Sequence, residues 1–145
     1  MAIRTLNAQW NAADGSVGSA TAVVTFDTDL VTTVPGGSIP MDQIQDLTVT
    51  VQGARAGNGT FGKADFSGLR FYASFVLDFS KPLLGQEGSD PLQLPFGTPD
   101  AQGNAGDFNL VSSTGTAPDG VFAFGIATNG KNDPSDILKI SAINP

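Results

Sequence analysis

The 145-residue chain contains no cysteine and no histidine. The first absence excludes disulfides, thiol nucleophiles and thiolate metal sites. The second removes the imidazole base, the Ser-His-Asp arrangement and the commonest zinc ligand. Glutamate occurs once, at Glu87, and lysine and arginine together number 7, against 14 acids and a net charge of −7. Seven dispersed cations on an acidic chain build no basic stripe, which argues against nucleic acid and anionic membranes as partners. Long hydrophobic runs are also missing. "FYASFVL" is far below the length needed to span a bilayer, so no membrane insertion is expected. The start, "MAIRTLNAQW", lacks the apolar stretch of a secretory leader, which leaves a trimmed mature form, a cytoplasmic protein or leaderless export open.

What is present favours strands and turns. Glycine numbers 18 and proline 9, helix formers are scarce, and 10 phenylalanines supply anchors for a core. The length fits a single domain over 1–145 with a core that needs no staples. In "DLTVTVQG" Leu47, Val49 and Val51 alternate with Thr48, Thr50 and Gln52, as a half-buried antiparallel strand requires. "LRFYASFVLDF" places Leu69, Phe71, Ala73, Phe75, Leu77 and Phe79 on one face, which predicts a long central strand over 69–79. Further strands are expected at 5–10, 19–27, 107–113, 121–128 and 136–143. Single helical turns are expected near 40–45 and 63–67, and a long Gly/Pro-rich surface loop over 85–106. The fold class is therefore all-β: an antiparallel β-sandwich, jelly-roll or immunoglobulin-like, of about seven to nine strands. Its expected core comprises Leu47, Val49, Val51, Leu69, Phe71, Phe75, Leu77, Phe122, Phe124, Leu138 and Ile140.

The stretch "GARAGNGTFGKADFSG" holds an Asn58-Gly59 pair and reads as a corner leading into a short strand. It has neither the spacing nor the following helix of a phosphate-binding loop. Asp27 and Asp29, at i and i+2 in "FDTD", place two carboxylates on one side of a strand, where a calcium ion would relieve their repulsion. "TNGKNDPSD" could complete such a site through Asn129, Asn132, Asp133 or Asp136; the same residues equally fit solvated turns. No cofactor is expected, calcium being the one ion these acidic turns could hold. Trp10 and Tyr72 are the sole Trp and Tyr, candidates for stacking on sugar rings, with packing as the other role open to them. Paired Asp carboxylates about 5 to 9 Å apart would be needed for glycoside hydrolysis, which the near-absence of Glu disfavours.

Five blocks carry a resemblance: "VTFDTD", "GARAGNGTFGKADFSGL", "LDFSKPLLGQ", "GDFNLVSS" and "FAFGIATNGKNDPSDILKISAI". Over residues 20–143 the chain resembles small secreted bacterial β-proteins, frequent in cyanobacteria and proteobacteria, many of which carry a sorting tail of the PEP-CTERM type. The resemblance implies a β-sandwich and an extracellular or cell-surface location, and brings no activity with it. Leader and tail are both expected to be lacking in this chain, which ends "SAINP". The expected function is a non-enzymatic structural or adhesive module contacting another extracellular protein or a polysaccharide. The alternatives are a carbohydrate-binding module, calcium-dependent or not, and a carboxylate-dependent hydrolase.

Overall fold

The computed structural model describes residues 1–34, 37–73, 76–86, 95–97, 107–122, 124–131 and 135–145. The described residues form ten strands: β1 (Ile3–Ala12), β2 (Ser19–Asp27), β3 (Ser38–Pro40), β4 (Ile44–Gln52), β5 (Gly59–Gly62), β6 (Phe66–Tyr72), β7 (Asp107–Ser112), β8 (Asp119–Phe122), β9 (Gly125–Ala127) and β10 (Ile137–Asn144). They form an antiparallel sheet of seven strands in the order β5-β4-β2-β1-β10-β9-β8 and one of three in the order β3-β6-β7. Among the described residues the only helical segments are 3-10 turns at Thr28–Leu30, Met41–Gln43 and Lys63–Asp65. The last two fall at the expected places. None of the described helices is long and apolar enough to cross a membrane.

Alternation builds the large sheet. In β1 Leu6, Ala8 and Trp10 point inward; in β2 Ala20, Ala22, Val24 and Phe26 do so; in β4 Leu47, Val49 and Val51 complete the layer. Their neighbours Thr5, Asn7, Gln9, Thr21 and Thr48 face solvent. Strict alternation would put Ile44 and Leu47 on opposite faces, yet both are buried. A bulge resolves this: Thr25 pairs with Asp46 and Phe26 with Ile44, so Gln45 is the extra residue that shifts the phase. The same device lies in β10 at Ser141, opposite the Gln9–Trp10 step.

The two sheets meet through aromatic rings. Phe71 of β6 lies 5.9 Å from Phe26 of β2 and 5.2 Å, edge to face, from Phe108 of β7. Phe108 in turn stacks on Trp10 of β1 at 6.0 Å. Phe96 extends the cluster, 5.9 Å from Phe71 and 5.1 Å from Phe124. Phe124 holds φ 63, unfavourable for a bulky residue, at the turn between β8 and β9. That conformation coincides with its ring being buried in the core beside Phe96.

Of the expected core, Leu47, Val49, Val51, Leu69, Phe71, Leu77, Phe124 and Leu138 are buried, and Ile140 is half-buried against it. Phe75 and the side chain of Phe122 lie outside the described residues. The long strand expected over 69–79 is corrected: β6 ends at Tyr72. Beyond it the segment 76–86 is a loop pinned to the sheet by the Leu83 N–H, which donates to the Ile143 carbonyl at 2.9 Å. The expected strand over 121–128 is two strands, β8 and β9, joined by the Phe124 turn. Most of the Gly/Pro-rich stretch 85–106 lies outside the described residues.

Trp10 has no accessible area, and its indole Nε1 has no hydrogen-bond partner among the described residues. Trp10→Phe keeps a ring against Phe108 and removes that N–H, so it should change unfolding free energy by less than about 1 kcal/mol, whereas Trp10→Ala should lose about 3 to 5 kcal/mol. Urea denaturation of the two variants checks the ordering.

Candidate functional site

Three regions bear the side chains able to do chemistry or make contacts: the two ends of the large sheet and its outer face. At one end, β2 runs into the Thr28–Leu30 turn. Asp27 caps that turn, its Oδ1 accepting the Asp29 N–H at 3.0 Å and the Ala2 N–H at 3.0 Å. These bonds, the Ala2 contact first, hold its carboxyl below the usual carboxylate range. Asp29 turns its Oδ2 to the Met1 amino group at 3.1 Å. Beside them a groove of about 460 Å³ has an apolar floor of Val31, Ala73, Leu77 and Phe79 and a charged rim of Arg4, Asp29 and Asp78. Asp78 accepts the Ser80 hydroxyl at 2.6 Å and the Ser80 N–H at 3.0 Å, and its carboxyl is lowered by them and by Lys81.

At the opposite end three loops converge on Asp136. Its side chain has no accessible area, yet it is ionised and well partnered. The Arg55 N–H donates to Oδ2 at 2.7 Å, the Val17 N–H to Oδ1 at 3.0 Å, and the Arg55 guanidinium lies 3.3 Å from Oδ1. The Arg55 N–H leads in holding the carboxyl below its ordinary value, followed by the Val17 N–H and the Arg55 charge, while burial pushes the other way. Arg55 also donates to the Gly15 carbonyl at 2.9 Å, which ties the β1–β2 turn to the β4–β5 corner. In that corner the Asn58 side chain clasps Ala54, accepting its N–H at 2.9 Å and donating to its carbonyl at 2.7 Å.

These placements decide what the proposed calcium ligands can share. Asp27 and Asp29 stand at the start of β1, where Ile3 pairs with Asp27. Asp136 stands at the other end of β1, where Ala12 pairs with Leu138. Ten residues of strand, about 30 Å, separate them, so no single ion bridges both groups. Asn132 and Asp133 lie outside the described residues, and Asn129 is half-buried beyond β9, at the Asp136 end. Among the described residues no three His, Cys, Asp or Glu side chains cluster to hold a metal.

The aromatic candidates are placed inside. Trp10 is fully buried on Phe108 and Tyr72 is 8% exposed, which leaves neither a face for a sugar ring. The signal for Trp10 lies in its spacing: it shares the parity of Leu6 and Ala8. Tyr72 stands on the opposite side of β6 from Phe71, but Thr32 runs alongside it in a parallel bridge, with the Ala73 N–H donating to the Thr32 carbonyl at 3.1 Å. The structural role of Asp136 is not marked by sequence spacing, since its partners lie 119 and 81 residues away.

Set against known protein families, curated proteins and solved structures, the chain matches none of them.

Two predictions follow from the Asp136 end. A carboxyl lowered on folding stabilises the native state above its unfolded value of 3.8 and loses that contribution as pH falls through the folded value. Thermal melting between pH 7 and pH 2 should show Tm falling below about pH 4 in the wild type, and Asp136→Asn should lower Tm at pH 7 while flattening that acid decline. Gly57 has φ 82, and an added Cβ would lie 2.0 Å from the Thr128 carbonyl oxygen; Gly15 also has φ 82 but open space around it. Gly15→Ala should therefore lose only the left-handed backbone penalty, about 1 kcal/mol, and Gly57→Ala clearly more, as read by their denaturation midpoints.

Proposed function

We propose that the protein is a non-enzymatic structural or adhesive module acting outside the cell or at its surface. The observation that carries this reading is the use of its carboxylates. Asp27, Asp78 and Asp136 are each turned onto backbone N–H groups and held below the ordinary carboxylate range. A hydrolase of the two-carboxylate kind needs one group raised so that it carries a proton at neutral pH. Among the described residues the shifted carboxyls move the other way, and what they do is fasten turns. A hydrolase is the less supported reading for that reason.

The location rests on the resemblance of the strand and turn blocks to secreted bacterial β-proteins. A carbohydrate-binding role is favoured as the second reading by one feature, the polar outer face of β4, β2 and β1, which is uncharged beyond Asp46 and Asp27 at one end. Calcium dependence of such binding stays a separate proposal, resting on Asp27 and Asp29 alone. The test of the main reading is the fate of the epitope-tagged full-length gene product in its own host. Protease treatment of intact cells should remove the tag, or the product should appear in the matrix fraction, and the purified protein should turn over no glycoside substrate. Retention in the cytosol, or turnover abolished by Asp78→Asn, would overturn it.

A further inference from the structure

The outer face of the seven-stranded sheet is polar and exposed along β1, β2 and β4. Strand register sets its side chains in rows. Thr60 pairs with Thr50, Thr50 with Thr21, Thr21 with Gln9, and Gln9 with Ala142, so one row crosses five strands. The next row runs from Thr48 through Val23 and Asn7 to Asn144. Neighbours across strands are spaced about 4.8 Å and along a strand about 6.7 Å, which makes a regular grid of hydroxyls and amides. A shallow depression of about 170 Å³ lies where the small Ala142 stands beside Gln9, Asn7 and Asn144.

This grid carries no charge in a protein of net charge −7. Asp46, opposite Thr25, and Lys139, opposite Asn11, mark its borders. Thr5 and Thr25 share a hydrogen bond at 2.8 Å, as do Gln9 and Asn11 at 3.2 Å. Between them the Asn7 amide and the Thr21, Thr48 and Thr50 hydroxyls make no side-chain hydrogen bond to the described residues.

The chemistry of the face selects its partner. A charged polymer finds no counter-charge. A protein interface would need an apolar or aromatic centre, and the exposed apolar side chains on this face are Val23, 43% exposed, and Ile3, 41% exposed at its border beyond Thr5. A second copy brings a like charge of −7. What remains is a flat, neutral, hydroxyl-rich chain. We propose that the outer face of β1, β2 and β4 binds uncharged polysaccharide, an inference that rests on the adhesive reading and names its partner. With Trp10 and Tyr72 buried, no aromatic platform assists. Binding therefore accumulates from many weak hydrogen bonds over a long contact, and favours extended or insoluble glycans over short oligosaccharides.

Co-sedimentation with microcrystalline cellulose and with an insoluble β-glucan, set against alginate gel as the anionic control, tests this. The wild type should pellet with at least one neutral glucan and resist elution by salt. The double variant Asn7→Lys, Thr21→Lys should reduce the bound fraction at least tenfold with an unchanged Tm, while Gln43→Lys, away from the strand grid, should bind as the wild type does. Absence of pelleting with both neutral glucans, pelleting with alginate alone, concentration-dependent self-association in place of glycan binding, or an unaffected double variant would each overturn the inference. A protein found at the cell surface that pellets with neither glucan sinks this inference and leaves the adhesive reading standing. Cytosolic retention sinks the adhesive reading itself.

Discussion

The contact of Phe71 with its neighbouring rings is the interaction on which the fold depends. Phe71 touches Phe26 from the large sheet, Phe108 from its own, and Phe79 and Phe96 from the loop segments between β6 and β7. Each sheet has one apolar face and cannot hold it against water alone. Burying a ring of this size removes roughly 150 to 250 Å² from solvent, and offset or edge-on ring contacts add direction to that gain. The three-stranded sheet is too small to stand by itself, so its place is fixed by what Phe71 and Phe108 meet across the interior. The described loop segments 76–86 and 95–97 are held by the same cluster, through Phe79 and Phe96.

Charge is handled separately from this core. With few charged groups to distribute, the protein places several carboxylates where backbone N–H groups would otherwise lack partners. Asp27 caps a turn at one end of β1, and Asp65 reaches back to the Gly62 N–H at 2.9 Å at another corner. Asp136 does the same from a buried position, with Arg55 supplying the counter-charge. The result is a sandwich whose ends are tied by ion-to-backbone bonds and whose broad face stays neutral.

The regular part of this arrangement is legible in the sequence because period-two alternation is a local property. Leu47, Val49 and Val51 in β4, and the bounds of β2 at 19–27, follow from it directly. The two expected helical turns are legible for the same reason, since Pro40 and the Lys63–Asp65 corner act over three residues. What escapes is whatever depends on a distant partner. Alternation continues through 69–79, but β6 stops at Tyr72, whose partner Asp107 is the first residue of β7. Bulges at Ser67, Gln45 and Ser141 change which parity faces inward, and each is defined by the neighbouring strand. The carboxylate sites are the extreme case: "FDTD" and "NDPSD" look alike as acidic turns, while one caps a helical turn and the other sends Asp136 into the interior.

The pairing of β1 with β10 has a consequence for how the chain reaches this state. β1 is the first and β10 the tenth of the described strands, and they lie side by side in the middle of the seven-stranded sheet. Until Ile137–Asn144 arrives, β1 presents an open edge to solvent, with β2, β4 and β5 on its other side and no route to β9 or β8. Strands β1, β2, β4 and β5 can pair early, with only β3 of the other sheet between β2 and β4, but closing the sheet means joining segments more than a hundred residues apart, a slow step for loop-closure reasons. A half-sheet of β5, β4, β2 and β1 therefore carries one long open edge along β1 until β10 docks, and that eight-residue strand both joins it to β9 and β8 and covers the edge against intermolecular pairing.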